Sequence, residues 1–229
     1  MVNTKPNIVK EFEGMIKDNA VSGTYRVNID GIQIDVFPYV FPPSSPFSRS
    51  SYVIYNGMNN LNGERVLDIG TGTGIQAIQT VLAGAIEVDA VDINEDAVEC
   101  ARHNVRLNGL DEIIKVWQSD LFDSIPEKEY DLIVTNLPIM NMEEKDIRLH
   151  SLYDPGFIYH ERLFKEAKTY LNSNGRIFLS HANLQEDGFR KIGELARKHG
   201  FSFRVIEAVN YFGYEWRNYE FRLGGEKWK

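Results

Sequence analysis

The run Val66-Leu67-Asp68-Ile69-Gly70-Thr71-Gly72-Thr73-Gly74 begins as an apolar strand and ends as a glycine turn that opens a helix. Glycines at alternate positions let a backbone bend sharply and approach a ligand closely. The amides of the helix start then face that ligand. A dinucleotide fingerprint would need a third glycine where Ile75 stands, and a P-loop would need a Gly-Lys-Ser/Thr that does not follow. Asp92 stands 24 positions after Asp68, and Asp120 and Asn136-Leu137-Pro138-Ile139 come later. A carboxylate at Asp92 can accept hydrogen bonds from two ribose hydroxyls, and one at Asp120 from an adenine amino group. These residue types describe a cradle for a nucleoside.

The elements that must position them read as alternating strands and helices from residue 65 onward, the pattern of a parallel sheet covered on both faces. Strands are expected at 65–69, 87–91, 113–117, 130–135 and 176–180, with a closing antiparallel pair at 201–209 and 215–223. Helices are expected after the glycine turn, with Ile75, Ile78 and Leu82 inward and Gly84 as the stop, and after Asn94, which can cap. Further helices fit 159–171, with Leu163, Ala167 and Tyr170 inward, and 185–199. Asn174-Gly175 should turn the chain between the first of these and the next strand. In an open parallel sheet, ligands lie outside the carboxyl ends of the strands, and Gly70, Asp92, Asp120 and Asn136 all fall there.

Upstream, residues 4–20 predict a short amphipathic helix with Ile8, Val9, Phe12, Met15 and Ile16 on one side. Residues 22–37 predict a hairpin turned by Asp30-Gly31. A proline-rich segment over 40–50 follows, then a short helix over 51–60. The expected organisation is an N-terminal helix, hairpin and proline-rich lid over residues 1–60 and a ligand-binding domain over 61–229. The fold class is α/β, a Rossmann-like, seven-stranded, mostly parallel sheet.

The motif Asp-x-Gly-x-Gly-x-Gly after a strand, followed by the ordered Asp92, Asp120 and Asn136, resembles motif I and its successors in class I S-adenosylmethionine (SAM) dependent methyltransferases. The resemblance covers about residues 65–223. It implies SAM as cofactor, held by Asp68, Gly70, Thr71, Gly72, Gly74, Asp92, Ile93, Asp120, Leu121 and Asn136. The glycines would approach the methionine part, Asp92 the ribose, and Asp120 with Leu121 the adenine. Asn136-Leu137-Pro138-Ile139 resembles the Asn-Pro-Pro-Tyr motif of enzymes that methylate planar amide or amine nitrogens. In that family the Asn side-chain oxygen and the next carbonyl accept the hydrogens of the target NH2. The resemblance makes Asn136, Leu137 and Pro138 the catalytic residues. The stacking aromatic of that motif is replaced by Ile139, which disfavours a nucleobase. Residues 40–46 and Leu152-Tyr153-Asp154-Pro155-Gly156-Phe157 followed by Tyr159-His160-Glu161-Arg162-Leu163 resemble the release-factor glutamine methyltransferase branch. That family's N-terminal helical bundle has no room in the short stretch before the hairpin, so the catalytic architecture carries over and the protein substrate does not.

Tyr153, Tyr159 and His181 are candidates for the acceptor pocket, and the aromatic run at 211–216 for a cover. The expected acceptor is a nitrogen on a small molecule, an amino acid, or a peptide or protein amide or amine. Two alternatives use the same fold: aminocarboxypropyl transfer or cyclisation releasing methylthioadenosine, and a SAM-binding activator subunit of another methyltransferase. The net charge of −8 over 229 residues, with no basic run, disfavours nucleic acid as a partner. No run is long and apolar enough to span a membrane, and the first residues lack the apolar core of a signal peptide. The one cysteine, Cys100, excludes an internal disulfide and fits a reducing, cytoplasmic setting. Cys100 and His103 lie three apart on an expected helix, too few ligands for a zinc site, and no metal is expected.

Overall fold

The computed structural model describes residues 8–43, 58, 60–145, 149–185, 187–211 and 213–224. In chain order the elements are α1 (Ile8–Ser22), β1 (Tyr25–Ile29), β2 (Ile32–Val36), β3 (Arg65–Ile69), α2 (Ile75–Leu82), β4 (Glu87–Asp92) and α3 (Glu95–Leu107). Then come β5 (Ile114–Gln118), β6 (Tyr130–Thr135), a 3-10 turn (Pro155–Phe157), α4 (Ile158–Tyr170), β7 (Leu171–Ala182), α5 (Gly188–Lys198), β8 (Phe201–Tyr211) and β9 (Tyr214–Leu223). Among the described residues, seven strands pair in the order β5-β4-β3-β6-β7-β9-β8. All neighbours are parallel except β9, which runs antiparallel to both β7 and β8.

The central strands are apolar on both sides because both faces are covered. Val66, Leu132 and Val134 pack with Ile75, Ile78 and Val105 of α2 and α3. Leu67, Ile69 and Ile133 point the other way, into a cluster with Leu163 and Phe164 of α4 and Ile192 and Leu195 of α5. This period of two along β3 and β6 fixes their register. Strand order reverses between β3 and β6, which both border the same crevice, the position where open α/β sheets bind ligands.

Asn94 caps α3 by accepting from the Asp96 amide at 3.1 Å, and Ala97, Ala101 and Val105 are buried as expected. Ile75 and Ile78 are buried, but Leu82 is 61% exposed. Helix α2 is buried all round from Ile75 to Thr80, so its inward surface is wider than the apolar stripe. Tyr170 is partly buried and stacks on Phe122 at 4.9 Å. Asn174-Gly175 does not separate helix from strand. Leu171 already pairs with Tyr130, and the pairing then skips to Arg176 opposite Leu132. The expected turn is therefore an interruption of the pairing within β7, and β7 runs on to Ala182.

The hairpin turns on Asp30 and Gly31 with φ of 51° and 92°, the pair of positive values a two-residue I′ turn requires. It is fastened to α3. The Asn104 Oδ1 accepts from the Asp35 amide at 2.8 Å, and its Nδ2 donates to the carbonyls of Asp35 at 2.8 Å and Thr73 at 2.9 Å. His103 and Arg26 both bond the Asp35 carboxylate, which holds its pKa at about 2. The Cys100 thiol bonds the Asp35 carbonyl at 3.3 Å, and burial pushes it up to about 12. Cys100 and His103 thus both serve hairpin docking. Helix α1 lies elsewhere, with Phe12 and Ile16 buried against Met140, Leu149, Leu152 and Trp216. The segment 44–50 and nearly all of the expected 51–60 helix lie outside the described residues.

Asn104 joins the hairpin to the glycine turn through Thr73. Asn104→Ala strands one buried amide and two carbonyls, and should destabilise by about 2–4 kcal/mol in urea unfolding. A loss below about 1 kcal/mol would mean that hairpin and turn are not coupled.

Candidate active site

Gly70, Gly72 and Gly74 all have positive φ, of 73°, 55° and 83°. That conformation suits glycine and costs other residues. The amides of Gly70 and Thr71 both donate to the Val91 carbonyl at 2.9 Å, tying the turn to the end of β4. Asp68 is fully buried beneath the turn. One of its oxygens accepts from the Thr71 hydroxyl at 2.6 Å and the Ala77 amide at 3.1 Å. Burial lifts its pKa to about 7, with the Asp92 charge adding and those two bonds opposing. Asp68 therefore braces the turn from behind and does not line the cavity in front of it.

Asp92 ends β4 and crosses to the turn. Its Oδ2 accepts from the Gly72 amide and its Oδ1 from the Asn94 amide, both at 3.0 Å. Burial raises its pKa, and the amide bonds oppose that rise. Ser119, after β5, donates its amide to the Asp92 carbonyl, and its hydroxyl bonds the Leu121 carbonyl, both at 2.9 Å. Leu121 sits at φ 52°, which presents its side chain beside Asp120. Arg162 of α4 bonds Asp120 at 2.9 Å, Asp123 at 2.8 Å and Glu166 at 3.0 Å, so a cation fixes this loop from outside.

At the end of β6, the Thr135 hydroxyl donates to the Ile69 carbonyl at 2.9 Å. It locks the Asn136 strand exit against the glycine turn. Past Pro138 the chain is pinned again. The Met140 amide donates to Leu152 O at 2.9 Å, and the Asp154 amide to Met140 O at 2.7 Å. Asp154 in turn accepts from the Tyr159 amide at 2.9 Å and holds His160 Nδ1 at 2.6 Å.

One cavity of about 180 Å³ runs along these strand ends. Gly70, Thr71, Gly72, Asp92, Ile93, Asp120, Leu121, Asn136, Leu137, Pro138 and Tyr159 all line it. A Cβ at Gly70 or Gly72 would meet no atom within 4 Å, so the bare backbone there faces room for a ligand. Gly74 is different. Its Cβ would lie 3.2 Å from the Ala101 Cα, so this glycine serves the approach of α2 to α3, and it does not line the cavity.

Two acceptor candidates also fall outside. Tyr153 is buried, and its hydroxyl donates to the Glu13 carboxylate of α1. His181 was expected just past a strand end, but β7 runs to Ala182 and pairs His181 with Arg217. It is buried between His160 and Phe189, and burial lowers its pKa well below the usual histidine value, with His160 adding to the effect. Residues that sequence reasoning missed include Phe12, Tyr39, Gln76, Ser119 and His150. None of them stands out in the sequence, where Gln76 reads as the polar face of an amphipathic helix. Trp216, from the aromatic run after β8, also lines the cavity. Phe212 of that run lies outside the described residues. Among the described lining residues the charged ones are Asp92 and Asp120, with no lysine, arginine or glutamate.

Residues 44–203 match the family described as the methyltransferase small domain. That stretch holds the glycine turn, Asp92, Asp120 and Asn136.

The chain belongs to the methyltransferase small domain family.

It is a SAM-dependent methyltransferase, and its cofactor is SAM. The open cradle at Gly70 and Gly72 and the carboxylate of Asp92 at its rim fit such a group. A protein of Methanocaldococcus jannaschii, named as a putative protein N5-glutamine methyltransferase, is 29% identical over 187 residues, 78% of this chain and 91% of that one. The release factor glutamine methyltransferase of Streptococcus pneumoniae is 35% identical over 65% of this chain, but the match spans only 55% of the relative. A solved tRNA m1G37 methyltransferase of M. jannaschii shares the fold, with a TM-score of 0.64 and 19% identity over 89% of this chain and 57% of that one. Among the described residues, no helix is long and apolar enough to cross a membrane.

Proposed function

We propose that this methyltransferase transfers the SAM methyl group to the side-chain carboxamide nitrogen of a peptide or protein. The observation that carries the reading is the position of Asn136, Leu137 and Pro138 on the same cavity as the glycine turn, with no lysine, arginine or glutamate among the described residues of its wall. A carboxamide is neutral, so it enters such a wall without needing a counter-charge. The glutamine-directed names of relatives point to the same acceptor.

The cofactor supplies an electrophilic methyl on a good leaving group. Asp92 would accept from the ribose hydroxyls, and Asp120 with Leu121 would hold the adenine. The Asn136 Oδ1 and the Leu137 carbonyl accept the two amide hydrogens, which turns the nitrogen lone pair toward the methyl. Pro138 fixes the strand exit that sets both acceptors. When bound, SAM would supply the methyl group and keep the S–C electron pair, while the nitrogen oriented by Asn136 and Leu137 would give up one proton as it takes the methyl. The protein's contribution is orientation and exclusion of water. Phe12, Tyr39 and Phe41, described residues of the N-terminal part that line the cavity, act as a lid over it. A cytosolic setting fits the buried, reduced Cys100.

Short peptides bearing glutamine, glutamate or lysine at one site, incubated with SAM carrying a labelled methyl, test the reading. Label is expected on the glutamine peptide at least about tenfold faster than on the others. Faster labelling of lysine, or of an RNA in place of any peptide, would contradict it.

A further inference from the structure

Helix α2 is buried on every side from Ile75 to Thr80, an environment that normally selects apolar residues. Gln76 breaks that rule on its first turn. It is 4% exposed, and neither its Nε2 nor its Oε1 has a hydrogen-bond partner. An amide buried without partners opposes folding, so its presence calls for a reason. Gln79, one turn on, also leaves its Oε1 unpaired. Of the two, only Gln76 lines the cavity.

Its place in the chain identifies what it meets. Gln76 follows the glycine turn directly, on the first turn of a helix whose positive end faces the cavity. By the family resemblance the turn meets the methionine part of SAM, while Asp92, bonded to the Gly72 amide at its rim, and Asp120 serve the nucleoside. That part of the cofactor carries a carboxylate and an ammonium. No lysine or arginine among the described residues lines the cavity, so among them the carboxylate is met by neutral donors. A side-chain amide offers a donor to the carboxylate and an acceptor to the ammonium.

We propose that Gln76 is a specificity-determining residue that pairs with the amino-acid end of SAM, its unpaired amide lining the cavity beside the glycine turn. The inference rests on the cofactor and is independent of the acceptor proposed above.

Calorimetric titration of the parent, Gln76→Leu and Gln76→Glu with two ligands tests it. S-adenosylhomocysteine keeps the amino-acid end, whereas methylthioadenosine lacks it. Gln76→Leu should weaken S-adenosylhomocysteine by about tenfold or more and leave methylthioadenosine within about twofold. Gln76→Glu should weaken S-adenosylhomocysteine at least as much, because it sets a carboxylate against a carboxylate. Without ligand, Gln76→Leu should melt no lower than the parent, since it removes an unpaired buried amide. Equal weakening of both ligands, unchanged S-adenosylhomocysteine binding, or a lower melting temperature for Gln76→Leu would overturn the proposal. No acceptor enters these titrations, so their failure is separate from failure of the carboxamide reading.

Discussion

Asn136→Ala is expected to lower kcat by about 100-fold or more while SAM binding stays within about threefold. The asymmetry follows from the site. Asn136 exits β6, the strand beside β3, and the Thr135–Ile69 bond holds that exit in place. Its proposed work is on the acceptor, whose nitrogen must point its lone pair along the methyl–sulfur axis. Losing one of two hydrogen-bond acceptors leaves the nitrogen able to bind but free to rotate away. A loss confined to kcat marks a contact made in the transition state. Asn136→Asp keeps an oxygen in place but adds a charge to a wall with no lysine or arginine among its described residues, so it should fall between the alanine variant and the parent. Single-turnover rates with saturating SAM separate this from a cofactor defect. A large rise in the SAM Kd with unchanged kcat would move Asn136 from the acceptor to the cofactor.

The second large effect is expected at Asp92. Asp92→Ala should weaken SAM by about 100-fold, equivalent to ~2.7 kcal/mol. Two charge-assisted bonds to ribose would go. The amides of Gly72 and Asn94 would also lose their acceptor, which loosens the turn itself. Asp92→Asn separates the two contributions. Its single carbonyl oxygen serves one of those amides and accepts less strongly from ribose, so an intermediate Kd is expected. Calorimetry with SAM reads both variants. Binding within threefold of the parent in Asp92→Ala would mean that the ribose lies elsewhere.

The parts of the fold set by short-range rules were legible. β6 spans the expected residues because its apolar run is bounded by turn signals on both sides. The hairpin follows from Asp30-Gly31, and α3 begins at its Asn94 cap. Other features depend on partners that sequence spacing does not reveal. Gly74 belongs to the glycine motif, yet what demands it is Ala101 on another helix. A glycine needed for helix approach and one needed for a ligand look alike in sequence. His181 reads as lying past a strand because the apolar run ends at Ser180. Pairing with β9 carries β7 on to Ala182, and His181 is buried within it. Tyr153 was read as facing the cavity, and it is instead turned toward Glu13 by the docking of α1. Gln76 reads as an ordinary polar residue at a helix start, and only the burial of the helix all round sets it apart.

The most direct test of the central claim is the product of the reaction itself. SAM with an isotopically labelled methyl group is incubated with the protein and a glutamine-bearing peptide, and the products are resolved by mass spectrometry. The expected result is one labelled methyl on the side-chain amide nitrogen, with S-adenosylhomocysteine formed in equal amount. Methylthioadenosine as the product, or label on any atom other than that nitrogen, would contradict it.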